Sequence, residues 1–374
     1  MKALTRFSLP SPPPRCGWPN PNHPNPLPNH LSFASASSSS AAAASLSASA
    51  HPSLDKPPVV VVGSANADIY VEIDRLPREG ETVAARTGQT LAGGKGANQA
   101  CCGGRLAHPT YFVGQVGDDA HGRLIEDALS SGNVRLDRLS RVAGAPTGHA
   151  IVMLQSDGQN SIIIVGGANM SCWPDDPREE DLKVIRRAGV LLLQREIPDR
   201  VNIQVAQVAK SAGVPVILDA GGVEAPVPKE LLNFVDIFSP NETELARLTR
   251  MATETFEQIS QAAIKCHKMG VKQILVKLGA KGSALFVEGE QPIRQPIIPA
   301  AKVLDATGAG DTFTAAFAVA MVEGKPNKEC MRFASAAASL CVQVKGAIPS
   351  MPARTAVIEL LQSIQVEDVM KISD

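Results

Sequence analysis

The chain has no Asp or Glu before position 55, no Cys-x-x-Cys pair, and no uninterrupted apolar run near the roughly 18 residues of a membrane span. Each absence excludes something. The seven cysteines (Cys16, Cys101, Cys102, Cys172, Cys266, Cys330 and Cys341) are odd in number and badly spaced for pairing. A disulfide framework or a zinc site is therefore not expected, and a reducing compartment is. The longest apolar runs, such as "PPVVVVG", are strand-sized, so no membrane partner is expected. The acid-free residues 1–54 hold only Lys2, Arg6 and Arg15 as Lys or Arg, and are rich in Ser, Ala, Pro and Asn. Such a segment cannot bury enough apolar surface to fold. Acid-poor, Ser-rich N-termini without a compact apolar core read as organelle transit peptides, and the scarcity of arginine turns this one toward the chloroplast or another plastid. A plain disordered tail is the other reading. Of 36 Lys and Arg, 33 lie beyond that segment, against all 37 Asp and Glu. The body is thus mildly acidic, which argues against a nucleic-acid partner.

What is present is an α/β pattern. With 374 residues, 44% hydrophobic and 20% charged, the length fits one large α/β domain or two domains. "VVVV" (59–62) reads as a buried strand, 69–73 and 82–90 as exposed strands, and "YFVGQVG" as another. Residues 118–133 have helical spacing. "GHAIVMLQSDGQNSIIIVGGAN" reads as a hairpin about Asp157-Gly158. From residue 189, strands ("GVLLLQ", "PVILD", "VDIFS", "QILVKLG", "SALFVE" and one near 297–304) alternate with helices at 199–212, 241–250, 256–269 and from 309, 327 and 354. That rhythm implies a mostly parallel sheet with helices on both faces, where ligands sit at the carboxyl ends of strands.

Polar residues gather after those strands: Asn66 and Asp68, Glu196, Asn241 and Glu244, Lys277 and Gly279, then Asp305, Thr307 and Asp311. Any one could be a helix cap, but loops at a shared edge can build one site. Two glycine-rich stretches stand out. "VLDATGAGDTFTAAFAVAMVEG" sets Gly308, Ala309 and Gly310 before Asp311 and an apolar helix. Small residues admit a ligand to the backbone, and helix-start amides favour an anion, so a carboxylate beside them suggests phosphate chemistry with a base. An acid that merely caps the helix fits the stretch equally. "LAGGKGANQA" opens a second helix with Gly93, Gly94, Lys95, Gly96 and Asn98. It has neither the Walker nor the dinucleotide spacing.

"GGKGANQA" together with "DATGAGDTF" resembles the PfkB carbohydrate kinase family. "GSANAD", "GQVGDDAHG", "QREIP", "SPNETE", "VKLGAKG" and "KGAIPS" match in order over about 59–365, and "NAD" with "GGKGANQA" is most similar to the family's ribokinase branch. The resemblance implies a three-layer α/β/α kinase domain over 55–365, with lid strands at about 69–90 and 147–165 and a C-terminal tail at 366–374. It implies ATP-dependent phosphorylation of D-ribose at its 5-hydroxyl. Asn66, Asp68, Gly94, Lys95, Asn98 and Glu196 match sugar-binding positions. Asp311 matches the base, which also meets the sugar, the amides of Ala309, Gly310 and Asp311 match the anion hole, and Gly308 belongs to the same catalytic stretch. ATP would lie along Asn241, Lys277, Gly279, Gly282, Gly310 and Ser335. Glu244 of "NETE" would act on Mg²⁺ through water. Asp305, Thr307, Cys341, Val344, Gly346 and Ser350 match a K⁺ loop, although Ala306 stands where the family often has Thr. In the family such lids pair between chains, which implies a homodimer. A kinase for fructose or adenosine, or a non-catalytic subunit of a larger plastid complex, are the competing expectations. The latter would be expected to lose residues such as Asp311, Gly308, Gly310 or Lys95, all of which are present.

Overall fold

Val59–Val62 is a run of four β-branched residues, and it forms a strand, β1, in the interior of the larger sheet. The computed structural model describes residues 56–156, 160–222 and 225–373. The remaining strands are β2 (Asn66–Ile73), β3 (Thr87–Gly93), β4 (Thr110–Gly117), β5 (Leu139–Val142), β6 (Gly148–Gln155), β7 (Asn160–Val165), β8 (Val190–Arg195), β9 (Val216–Gly222), β10 (Ile237–Ser239), β11 (Gln273–Lys277), β12 (Ser283–Val287) and β13 (Ile293–Gln295). The helices are α1 (Lys95–Arg105), α2 (Ala120–Ser131), α3 (Glu179–Ile185), α4 (Asp199–Ser211), α5 (Lys229–Leu232), α6 (Glu242–Thr249), α7 (Phe256–Lys268), α8 (Ala309–Val322), α9 (Asn327–Cys341), α10 (Ala347–Ser350) and α11 (Arg354–Ser373).

Among the described residues, nine strands form one sheet in the order β13-β12-β11-β10-β9-β8-β1-β4-β5. From β11 to β5 the pairs are parallel, and β12 and β13 add an antiparallel edge. Strand side chains alternate between faces, so β1 feeds two cores. Val59 and Val61 join α1, α8 and α9 on one face, including the buried Cys101 and Cys102. Val60 and Val62 join α4, α6 and α7 on the other. Burying each valine contributes roughly 1.5–3 kcal/mol, which explains why this strand carries no polar residue. The result is the three-layer α/β/α arrangement read from the alternating pattern.

A second sheet of four strands, β3-β2-β6-β7, stands over the carboxyl end of β1. β2 and β6 run parallel, and the outer pairs are antiparallel. Tyr70, Ala150 and Val152 form its own small core. Asp157-Gly158, where the hairpin turn was expected, lies outside the described residues.

Four expectations differ from the structure. The strand expected at 82–90 begins at Thr87 and runs to Gly93. The segment before it closes locally: Arg78 N and Arg75 Nη1 both donate to Glu81 Oε2 at 2.9 and 2.7 Å, and Gly80 turns at φ +75°. No strand forms near 297–304, because Pro296 and Pro299 offer no ladder N–H. That loop is instead tethered by Leu304 N and Asp305 N, which both donate to Val342 O. Asn241 lies just outside its helix, as the cap of α6. The final helix also continues through residue 373, beyond the start of the expected tail at 366. Among the described residues, no helix is long and apolar enough to cross a membrane.

Candidate active site

The chain leaves β1 through Gly63 and returns immediately as β2, which places Asn66 and Asp68 at the mouth of the larger sheet. They lie inside β2 rather than in a loop after β1. β3 pairs with β2 so that Asn66 faces Gly93 and Asp68 faces Leu91. Gly94 then turns the chain into α1 at φ +90°; a Cβ there would sit 2.6 Å from Asn66 N. Only glycine allows that approach, which brings Lys95 and Asn98 beside Asp68's strand. Glu196, next after β8, secures this loop: its Oε2 accepts from Ser64 Oγ (2.6 Å) and Lys95 N (3.1 Å). Asn169 secures Asn66. Its Nδ2 donates to Asn66 Oδ1 (2.7 Å) and Ala65 O (3.0 Å), while its Oδ1 accepts from Ala65 N.

Asp311 enters from α8. Gly308 caps that helix in the left-handed region, φ +80°, which a branched residue would not adopt. Asp311 is 4% exposed. Asn98 Nδ2 donates to its Oδ2 at 2.8 Å, Gln99 Nε2 donates to its Oδ1 at 3.3 Å, and Lys95 Nζ stands 3.8 Å away. Ala309 N donates to Ala306 O, whereas neither Gly310 N nor Asp311 N has a hydrogen-bond partner among the described residues. Two amides at the helix start are therefore open.

Burial sets the charges. Asp311's carboxyl is pushed above its usual range by burial, with Lys95 opposing. Asp68 is pushed up to about 7 by burial, then by Glu196 and Asp311. The Asp311 carboxylate holds the Lys95 ammonium well above its ordinary range.

Two cavities meet at the start of α8. One, of about 560 Å³, lies between the sheets and is lined by Asn66, Asp68, Gly94, Lys95, Asn98, Glu196, Gly308 and Asp311. Ala150, Val152, Ile162 and Ile164 of the small sheet cover it. The other, of about 320 Å³, is lined by Lys277, Gly279, Gly282, Ala309, Gly310 and Ser335, with Ile297, Val303 and Val342. Thus Gly308 and Asp311 face one cavity and Ala309 and Gly310 the other. Asn241 lines neither, although it is bridged to Lys277 at the end of β11.

Two places fit cations. Glu244 Oε2 accepts from Asn241 N in a capping box, which leaves Oε1 beside Gly221. One free carboxylate oxygen suits a divalent ion that keeps its waters. Asp305 accepts from Thr307 N and Gly346 N, both at 2.8 Å, and Cys341 Sγ meets Ser350 Oγ at 3.0 Å. These contacts, with Val344 N donating to Cys341 O, gather Thr307, Cys341, Val344, Gly346 and Ser350 around one loop pair. Among the described residues no cluster of three His, Cys, Asp or Glu could hold a metal ion.

Several residues of this centre were not singled out from the sequence: Ser64, Gln99, Asn169, Gln194 and Asp219. Asp219 had a signal. It follows "PVIL", a strand-end acid of the same kind as the others.

The model of the pfkB family carbohydrate kinases matches residues 56–354, and the chain belongs to that family. Within it, the chain is 71% identical over 308 residues to the ribokinase of Arabidopsis thaliana, covering 82% of this chain and 81% of that protein. It is 36% identical to the Bacillus subtilis ribokinase, covering 81% of this chain and 99% of that protein. Its fold matches the structure of Arabidopsis thaliana ribokinase complexed with ribose and ATP, with a TM-score of 0.80, covering 82% of this chain and 99% of that one. The Thermotoga maritima ribokinase structure matches with a TM-score of 0.73 at 34% identity, covering 82% and 99%.

Proposed function

We propose that the protein is an ATP-dependent kinase of D-ribose that forms ribose 5-phosphate and ADP. One observation carries this reading: a buried carboxylate, Asp311, stands at a helix start that divides a polar cavity from a second one beside it. The polar cavity takes the sugar. Asp68 accepts from neighbouring hydroxyls, Lys95 and Asn66 donate, and the buried Asn98 Oδ1, which has no partner, accepts another. Gly94 gives the sugar room at the backbone. Glu196 holds Lys95 and Ser64 in place.

ATP lies along Lys277, Gly279, Gly282, Gly310 and Ser335, with Asn241 at the edge. Asp311 takes the proton from the 5-hydroxyl. The hydroxyl oxygen bonds to the γ-phosphorus, the bond to the β–γ bridging oxygen breaks, and ADP leaves with that electron pair. The amides of Gly310 and Asp311, with that of Ala309 once it releases Ala306 O, receive the developing charge. Mg²⁺ bound with ATP would be held through water by Glu244 and would neutralise phosphate charge. The loop of Asp305, Thr307, Cys341, Val344, Gly346 and Ser350 would hold K⁺, a fixed positive charge near the helix start.

The small sheet is the lid. Ile162, Ile163 and Ile164 on β7 are each more than half exposed, which supports pairing with a second copy as a homodimer. The acid-free N-terminal stretch supports import into the plastid stroma. The test is coupled ADP release from Mg²⁺–ATP with ribose, fructose or adenosine, each in K⁺ and in Na⁺. Ribose-dependent turnover enhanced by K⁺ is expected. Preference for another substrate would reassign the site, and no turnover from folded protein would favour a non-catalytic role.

A further inference from the structure

We propose that Asp219 is a positioning residue for phosphoryl transfer, holding the Lys277 ammonium against the start of α8 between the two cavities. The inference rests on the reading of that helix start as the transfer site. Asp219 lies in the middle of β9 and is 1% exposed. Its Oδ2 accepts from Lys277 Nζ (2.7 Å), Thr314 Oγ1 (3.0 Å) and Gln99 Nε2 (3.5 Å), and its Oδ1 accepts from Gly221 N (3.0 Å). The carboxylate is thus fixed from β9, α1 and α8 before it meets the lysine.

Lys277 ends β11 on the wall of the second cavity, and its side chain is 13% exposed. Its Nζ lies 3.8 Å from where a Cβ on Gly310 would stand. A lysine is a point charge on a flexible four-carbon stem and does not hold one place unaided. Asp219 gives it one, beside the open amide of Gly310. The same carboxylate reaches the base: Gln99 Nε2 donates to both Asp219 and Asp311, and Gln194 Nε2 fixes Gln99 by donating to its Oε1 at 2.6 Å. Burial opposes ionisation of Asp219, but Lys277 and Lys95 outweigh it and hold the carboxyl below its usual range.

A purely structural ion pair would share this burial, so the test separates the two. Turnover, both KM values and ribose affinity are measured for the unaltered protein, Asp219→Asn, Lys277→Met and the double variant. We expect Asp219→Asn to lower kcat roughly 10- to 100-fold and raise the KM for ATP, while ribose affinity stays within about threefold, as for a misplaced transition-state group. The double variant should be no slower than Lys277→Met alone, since Asp219 acts through the lysine. Removing one partner of a buried pair can unfold the chain, whereas removing both avoids the uncompensated charge. If either single variant does not fold, the double variant against the unaltered protein decides the question: kcat at least roughly tenfold lower is expected, and a folded double variant with unchanged kcat and KM for ATP overturns the proposal. A double variant tenfold slower than Lys277→Met overturns the proposal, as does an Asp219→Asn protein of lowered Tm but unchanged kcat and KM for ATP. An unaltered protein without ribose-dependent turnover overturns the functional reading, and this inference with it.

Discussion

The two sheets that enclose the larger cavity treat polar side chains in opposite ways. At the edge of the nine-stranded sheet Asp219, Asp311, Gln99, Gln194 and Glu196 are linked through hydrogen bonds to one another or to neighbouring donors. Above it, the small sheet lines the cavity with polar residues only from β2 and β3, while β6 and β7 contribute Ala150, Val152, Leu154, Ile162 and Ile164, and three isoleucines of β7 remain more than half exposed. The difference teaches where chemistry is placed. A sheet packed with helices on both faces can hold charges at low exposure and fixed geometry, where electrostatic interactions are strong. A sheet with a small core is cheaper to move and can be completed by a partner.

The largest way to break this contrast is Asp311→Asn, which should lower turnover roughly 100-fold or more, the usual scale of general-base catalysis. Steady-state ADP release checks it, and near-normal turnover would remove Asp311 from the chemistry. Asp68→Ala should act on binding, raising the KM for ribose roughly 10- to 100-fold through the loss of charge-assisted hydrogen bonds. An unchanged KM would deny the sugar to that cavity. Ile163 alternates with the cavity-lining Ile162 and Ile164, so it faces away from that cavity. Ile163→Lys should yield a monomer by light scattering and raise the ribose KM several-fold, with kcat within about twofold. A kcat loss as large as that of a floor residue would erase the distinction between floor and lid.

The last prediction concerns the pH dependence of stability rather than turnover. The Asp68 carboxyl titrates near 3.8 when unfolded and about 7 when folded. Both states are protonated below 4, so the cost of ionising the buried carboxyl grows as pH rises from about 4 to about 7 and is constant above. Asp68→Asn should therefore stabilise the ligand-free protein progressively over that range, by at most about 4 kcal/mol. A Tm gain independent of pH would contradict it.

Much of this was legible because local and global demands agree. "VVVV" can only be a buried strand in a two-faced sheet, and Gly308 with Asp311 announces a helix start that needs φ > 0. The apolar residues of 297–304 look like a strand, but the prolines at 296 and 299 deny it a ladder. In the sequence, Asp219 after "PVIL" reads as an ordinary strand end. Its partners come from α1, α8 and β11, up to 120 residues away along the chain, so spacing alone could not reveal them.

The central claim is that Asp311 performs chemistry on a sugar that other residues hold. Calorimetric titration of ribose into Asp311→Asn, in the presence of a non-hydrolysable ATP analogue, tests it most directly. The account predicts ribose affinity within about threefold of the unaltered protein, despite the lost turnover. Affinity that falls in step with turnover would make Asp311 a sugar anchor and leave the reaction without its base.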